Sequence, residues 1–340
     1  MPGKRVTLAD VARRAGLSTT AASMILNGRP DTRLSREAHD RVIAAAAELD
    51  YRPNVAARGL RTDRTNTIGF VSDVVATTRF ASGLIKGALE EAHASGHVLL
   101  VLETEGDPRR ESEAIEAVLD RQVDGIVFAT MRARDLFIPP LRQRVPVVLL
   151  NATNESYADS VLPDEHTGGR RAVDLLVDAG FGDGILLLGH NAVKEEGLFR
   201  STTVARRIAG IRERMNEHGL QFIDEESIWL WEPEHGYTGM KRMLKKHGRS
   251  ITAVLALNDR LAFGASQAMA EAGISIPADI SVVSFDNDEI ASYMRPGLTT
   301  VALPHEEMGR VAVRMMLDPA TSGEQLVDMP VVQRESIRER

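Results

Sequence analysis

Two periodicities divide the chain. Residues 7–50 carry apolar positions at helical spacing, whereas from residue 66 onward short continuous apolar runs alternate with amphipathic stretches. In the first region Leu8, Val11, Ala12 and Ala15 repeat at i, i+3, i+4 and i+7, one face of a helix. Thr7 is a suitable N-cap, and Asp10 three residues on completes a capping-box-like pair. Gly16 supplies the turn conformation that a Cβ resists. Ser18 caps a second helix in which Ala21, Ala22 and Ile25 pack, and Gly28 ends it. A third helix runs from a Ser35 cap through Ala38, Val42, Ala45, Ala46 and Leu49. The pattern predicts a small all-α head with an Ala-rich core, its first two helices joined as a helix-turn-helix.

The longer region predicts strands at 68–73, 98–103, 125–129, 145–150, 185–188, 228–231, 254–257 and 281–285. Helices are predicted at 81–95, 111–121, 172–179, 203–218, 236–246 and 260–272. Continuous apolar runs punctuated by helices indicate parallel, Rossmann-like sheets covered on both faces. In such sheets ligands bind at the C-terminal ends of the strands.

A helix-turn-helix places the N-terminal end of its second helix in the DNA major groove. Thr19 and Thr20 follow the Ser18 cap and point outward, and Met24 lies one turn further along that exposed face. Ser23, Asn27 and Arg29 are placed for phosphate, with helix capping or solvation as the alternative for each. Thr7 and Ser18 complete the set of expected DNA contacts on the head.

The segments TLADVARRAGLS (7–18), ILNG (25–28), RVIAAAAELDYRPN (41–54), AARGLR (56–61) and NTIGFV (66–71), in this order and spacing, resemble the LacI/GalR family of bacterial transcription regulators. The resemblance extends over nearly the whole chain. It implies a DNA-binding head at 1–53, a hinge helix at 54–65 and an effector-binding domain at 66–340 of the type I periplasmic-binding-protein architecture. Its N-lobe would take 66–163 and 303–328, its C-lobe 164–302 and 329–340, with three crossings between them. The resemblance also makes Asn54, Ala57, Arg58 and Leu60 DNA contacts. Leu60 would wedge into the minor groove at the operator centre, where unstacking is traded for a bent duplex. Segment 54–61 is too short to be helical alone, so it is expected to order on DNA. Relatives often carry a basic residue where this chain has Met24. Methionine can touch a thymine methyl but cannot bond guanine in bidentate fashion.

Charge sharpens this picture. The chain carries −7 overall, but residues 1–64 hold twelve Lys+Arg against seven Asp+Glu, net +5, leaving −12 for the rest. A basic head on an acidic body confines phosphate contacts to one end. Cysteine is absent, which excludes disulfides and thiol catalysis. No apolar run is long enough to span a bilayer and no signal-peptide core opens the chain, so a cytoplasmic protein without membrane contact is expected.

For the effector the resemblance points to Asp286, Arg207, Asn258 and Asn151, each near a strand or helix end where a plain turn or cap is the alternative role. Such hydrogen-bonding groups suit a sugar. A purine would want an aromatic sandwich, and the chain is only 4% aromatic. Where relatives offer a stacking ring, Glu234 or His235 is expected; Trp231, Phe80 or Phe199 could substitute, although Trp229 and Trp231 read as sheet residues. His166, His190, His235 and His305 lack metal-ligand spacing, the glycines at 83–87 and 182–184 form no phosphate loop, and Ser284 lacks a nucleophile-elbow context. No catalytic residue, metal or cofactor is therefore expected. The reading is a sugar-controlled repressor acting as a homodimer on a pseudo-palindromic operator. The alternative is a sugar-binding or sugar-processing protein whose N-terminal helices only dimerise.

Overall fold

The computed structural model describes residues 6–338 apart from 27–33, 53–63, 79–81, 136–137, 139–140, 142–144, 191–200 and 319, and not the side chains of 132–135 and 202. The chain forms two compact units, Met1–Thr65 and Asn66–Arg340.

The first unit is helical: α1 (Leu8–Ala15), α2 (Thr19–Leu26) and α3 (Arg36–Glu48). Local chemistry sets each start. Thr7 and Asp10 form a reciprocal capping box, and Gly16 closes α1 at φ 68°. Ser18 Oγ accepts from the Ala21 amide at 3.1 Å, and Ser35 Oγ from Ala38 at 3.2 Å. Val11, Ala22 and Val42 are fully buried, and an Arg14–Glu48 ion pair ties α1 to α3.

The second unit holds two six-stranded sheets. The first contains β1 (Thr67–Ser72), β2 (Val98–Glu103), β3 (Gly125–Asp135), β4 (Val147–Thr153), β5 (Ser160–Pro163) and β11 (Glu324–Val327), in the order β11-β5-β4-β3-β1-β2. The second contains β6 (Ile185–Leu188), β7 (Phe222–Glu226), β8 (Ala253–Ala256), β9 (Ser281–Asp286), β10 (Thr299–Ala302) and β12 (Val331–Val332), in the order β12-β10-β9-β8-β6-β7. Every pairing is parallel except β10 with β12. The two orders are the same pattern written twice. Runs such as Ile185–Leu188 are buried throughout because both faces are covered.

Helices α4 (Ser82–Ala94), α5 (Pro108–Asp120) and α11 (His305–Leu317) pack on the first sheet to make the N-lobe. Helices α6 (Glu165–Asp178), α7 (Thr202–Glu217), α8 (Pro233–His247) and α9 (Asp259–Glu271) pack on the second to make the C-lobe, to which α10 (Glu289–Tyr293) adds a short turn. The chain passes between lobes after β5, after β10 and after β11.

Some predicted elements change. The expected strand at 228–231 is absent: the strand is β7, and the following residues bend, leaving Trp229 48% and Leu230 43% exposed. Trp229 and Trp231 are thus loop residues, not sheet residues. The helix expected at 172–179 begins at Glu165, capped by Asp164. Gly168 and Gly169 disguised its first turns, and their reason is tertiary: a Cβ at Gly169 would lie 2.3 Å from the Arg207 carbonyl oxygen. The final strand is only Val331–Val332, and β5, β10 and β11 were not foreseen.

Candidate effector cleft and DNA-contacting helix

The C-terminal strand ends of both sheets face a cleft of about 1710 Å³ between the lobes. Asp73, Met131 and Asn151 line it from the N-lobe; Glu165, Arg207, Trp231, Asn258 and Asp286 line it from the C-lobe.

Arg207 organises the C-lobe floor. It stands on α7, which crosses α6 closely because Gly169 and Gly210 meet the opposing backbone; a Cβ at Gly210 would lie 2.0 Å from the His166 carbonyl oxygen. That crossing sets Arg207 against the first turn of α6. Its Nε and Nη2 donate to the two carboxylate oxygens of Glu165 at 2.6 and 2.8 Å, and its Nη1 to the Leu257 carbonyl at 2.6 Å. The guanidinium also lies 4.3 Å from the centre of the Phe285 ring, a cation–π contact. Burial works against its charge, but Glu165, then Asp286 and Asp259, outweigh that and raise its pKa. Arg207 is held charged.

Asp286 ends β9 with φ 103°, a backbone state that costs a non-glycine residue about 1–3 kcal/mol and recurs at functional sites. Its side chain is 7% exposed, with Oδ1 3.8 Å from Arg207 Nη2, too far for a hydrogen bond. Burial pushes its carboxyl well above the ordinary range; Arg207 opposes this, while Asp259, Glu165 and Asp288 add to it. Asp259 lies directly behind, fully buried. Ser284 donates to it, as does the Asp288 amide at 2.7 Å. Burial still moves its carboxyl to about 7.

The other expected contacts are committed in part to the protein. Asn258 caps α9, accepting from the Leu261 amide at 2.8 Å and donating to the Trp231 carbonyl at 3.2 Å. Asn151, at φ 56°, donates to the Thr130 and Met131 carbonyls at 3.0 and 3.2 Å. The Trp231 indole donates to the Gly189 carbonyl at 2.8 Å, which fixes its ring beside the cleft. Glu234 and His235 lie in the first turn of α8 and do not line the cleft. Phe80 and Phe199 lie outside the described residues.

On the head, Thr19 and Thr20 are exposed at the start of α2, with Ser18 exposed and bonded to Ala21. Ser23 and Met24 are half-buried, so Met24 is less open than its place on the helix suggested. Thr7 is exposed, but its hydroxyl serves Asp10 at 2.7 Å. Asn27, Arg29, Asn54, Ala57, Arg58 and Leu60 lie outside the described residues.

Two groups escaped sequence reading. Glu165 lies before the helix expected at 172–179, and Asp259 directly follows Asn258. A buried arginine demands a buried counter-ion, but the sequence did not say which carboxylate lay opposite. Among the described residues, no group of three or more His, Asp or Glu side chains is placed to hold a metal.

Residues 7–54 match the family described as bacterial regulatory proteins, lacI family, and residues 173–337 match a periplasmic binding protein-like domain. The ribose operon repressor of Escherichia coli K12 is 31% identical over 324 residues, covering 93% of each chain. The chain belongs to the LacI family. A second relative in it, the HTH-type transcriptional repressor PurR of Erwinia tasmaniensis, is 32% identical over 325 residues, 93% of this chain and 91% of that one. The family fold is equally plain in three dimensions. A crystal structure of the lac repressor dimer bound to operator and the anti-inducer ONPF superposes with a TM-score of 0.79 at 27% identity, over 98% of this chain and all of that one.

Proposed function

We propose that this LacI-family protein is a transcriptional repressor that binds a pseudo-palindromic operator as a homodimer, and that a hydroxyl-rich small molecule, a sugar, in the cleft changes operator affinity. The observation that carries the effector half is the Arg207–Asp286 pair, 3.8 Å apart at the end of a strand. Among the described residues, three N–H groups of Arg207 find partners inside the protein, which leaves two of its five donors. A ligand hydroxyl can accept from one of these and donate to Asp286. Trp231 supplies an apolar face of the kind sugar rings pack against, and Asn151 and Asn258 frame the two sides. The names of the relatives, a ribose operon repressor among them, support the same reading, and none of those names is an enzyme's.

On the DNA side, Thr19 and Thr20 read base edges, Thr7, Ser18, Ser23 and Arg29 hold phosphates, and Met24 meets a thymine methyl. Asn27 ends that surface. Asn54, Ala57, Arg58 and Leu60 form the hinge contact, with Leu60 the wedge. Ligand contact with both lobes favours a closed cleft only by its differential affinity for that state. Operator affinity then shifts by the same coupling free energy. Such a protein works in the cytoplasm.

A mobility shift on the DNA upstream of the protein's own gene, repeated over a salt series and a panel of neutral sugars, tests the proposal. Specific retention that a sugar alters is the expected result; equal affinity for random duplex removes the repressor reading. Leu60→Ser should weaken specific binding far more than nonspecific binding.

A further inference from the structure

Glu165 and Arg207 are each 3% exposed in their side chains, and the carboxylate meets the guanidinium edge to edge through both oxygens. That planar fork is the arrangement with which arginine grips a ligand carboxylate or phosphate. Here a carboxylate of the protein itself fills it. The two N–H groups that remain open lie beside a second acid, Asp286, with Asp259 behind. Among the described residues, the other guanidinium groups lining the cleft are also engaged, Arg260 with Glu232 at 2.8 Å and Arg310 with Glu90 and Glu307 at 2.6 and 2.8 Å.

We propose that Glu165 is a specificity-determining positioning residue: an internal counter-ion that occupies the Arg207 fork, so that the cleft takes neutral hydroxyl-bearing ligands and rejects phosphorylated or carboxylated ones. The inference rests on the effector-cleft reading above. An entering anion must either expel Glu165, leaving a buried carboxylate unpaired, or settle on the two open N–H groups against the repulsion of the Glu165 carboxylate that already fills the fork. A neutral hydroxyl meets neither obstacle. Glu165 also orients the guanidinium, so Arg207 presents its free edge to the cleft in one direction.

Calorimetric titration of the full-length protein with inorganic phosphate tests this. The unmodified protein should show no binding at millimolar phosphate. Glu165→Gln keeps the side-chain volume but removes the charge, and should bind phosphate at least tenfold more tightly. That gain should shrink with added salt and vanish in the Glu165→Gln/Arg207→Met double variant. A melting temperature lowered without any phosphate affinity would mean a structural role alone and overturn the proposal, as would equal phosphate binding by the unmodified protein. If Glu165→Gln does not fold, Glu165→Asp draws the carboxylate back from the fork and should give a smaller gain in the same direction; no gain there overturns the proposal equally. Phosphate titration uses neither operator nor sugar, so failure of the repressor reading would show separately, in the mobility shift.

Discussion

The two lobes repeat one strand order and place a polar residue of left-handed backbone at the same point in it. Asn151 stands near the end of β4 and Asp286 at the end of β9, each strand fourth along the chain in its sheet. The likeness stops at the side chain. Asn151 gives its amide hydrogens to two carbonyls of the neighbouring strand, whereas Asp286 faces a guanidinium from a helix. Among the described residues the buried charged side chains, Glu165, Arg207, Glu226 and Asp259, all belong to the C-lobe, and the buried polar groups of the N-lobe are neutral. Strained polar residues at strand ends are therefore common to both halves. What sets the C-lobe apart is the buried charge a helix delivers to that point. The charged groups that the N-lobe brings to the cleft, Asp73 and Arg310 among them, are not buried.

Removing that charge should have the largest effect. Arg207→Met leaves Glu165 buried without its partner, a loss of about 3–5 kcal/mol, and should abolish the sugar response. Asn151→Ala in the other lobe should cost less, about 1–3 kcal/mol for two orphaned carbonyls. Chemical denaturation of both variants compares them, and equal losses would remove the asymmetry.

Helix crossings come next. Gly210→Ala in the C-lobe and Gly309→Ala in the N-lobe each drive a Cβ onto opposing backbone, at 2.0 and 2.1 Å. Overpacking of this kind costs about 1–3 kcal/mol. Both should lower the melting temperature, but only Gly210→Ala, which shifts Arg207 relative to Glu165, should also weaken sugar binding.

The dependence on pH sets buried and surface carboxyls of the C-lobe apart. Asp259 titrates near 7 in the fold against 3.8 as a free side chain, so the fold favours its protonated form. Its contribution is complete below pH 3.8 and is lost as pH rises towards 7, at up to about 1.4 kcal/mol per pH unit. Asp286, raised in the same sense by burial, adds to this fall. Glu217 and Asp224, each held near 2 by basic partners, act in the opposite sense, and their stabilisation is lost only as pH falls towards 2. Denaturation midpoints between pH 4 and 8 should fall for the unmodified protein and fall less steeply for Asp259→Asn.

The smallest effect should come from helix caps. Asp164→Ala and Asp107→Ala each remove an N-cap, worth about 1 kcal/mol. Only the first loosens the turn that carries Glu165, so only it should alter the sugar response. A matching change from Asp107→Ala would show that the effect spreads through general stability.

Much of this was legible in order along the chain. The head could be read residue by residue because capping and helical period are local: Thr7, Asp10, Gly16, Ser18 and Ser35 act on neighbours within a few positions. Buried parallel strands announced themselves as apolar runs. The floor was only half legible. Arg207 and Asp286 were anticipated through likeness to relatives, but Glu165 lies 42 positions from Arg207 within a Gly-containing stretch that concealed a helix. The loop carrying Trp229 and Trp231 was mistaken for a strand, because aromatic residues that line a cleft look like residues that fill a sheet.

Sequence alone determined where helices begin, which runs enter sheets, and that a basic head precedes an acidic two-part body, because these follow from contacts between near neighbours and from composition. Tertiary structure alone decided that Arg207 faces Glu165 and not a ligand's acid, and that Asp259 sits dry behind Asp286. Those facts depend on two helices crossing at glycine contacts and on how far each carboxyl is withdrawn from water, and neither is encoded at any single position of the chain.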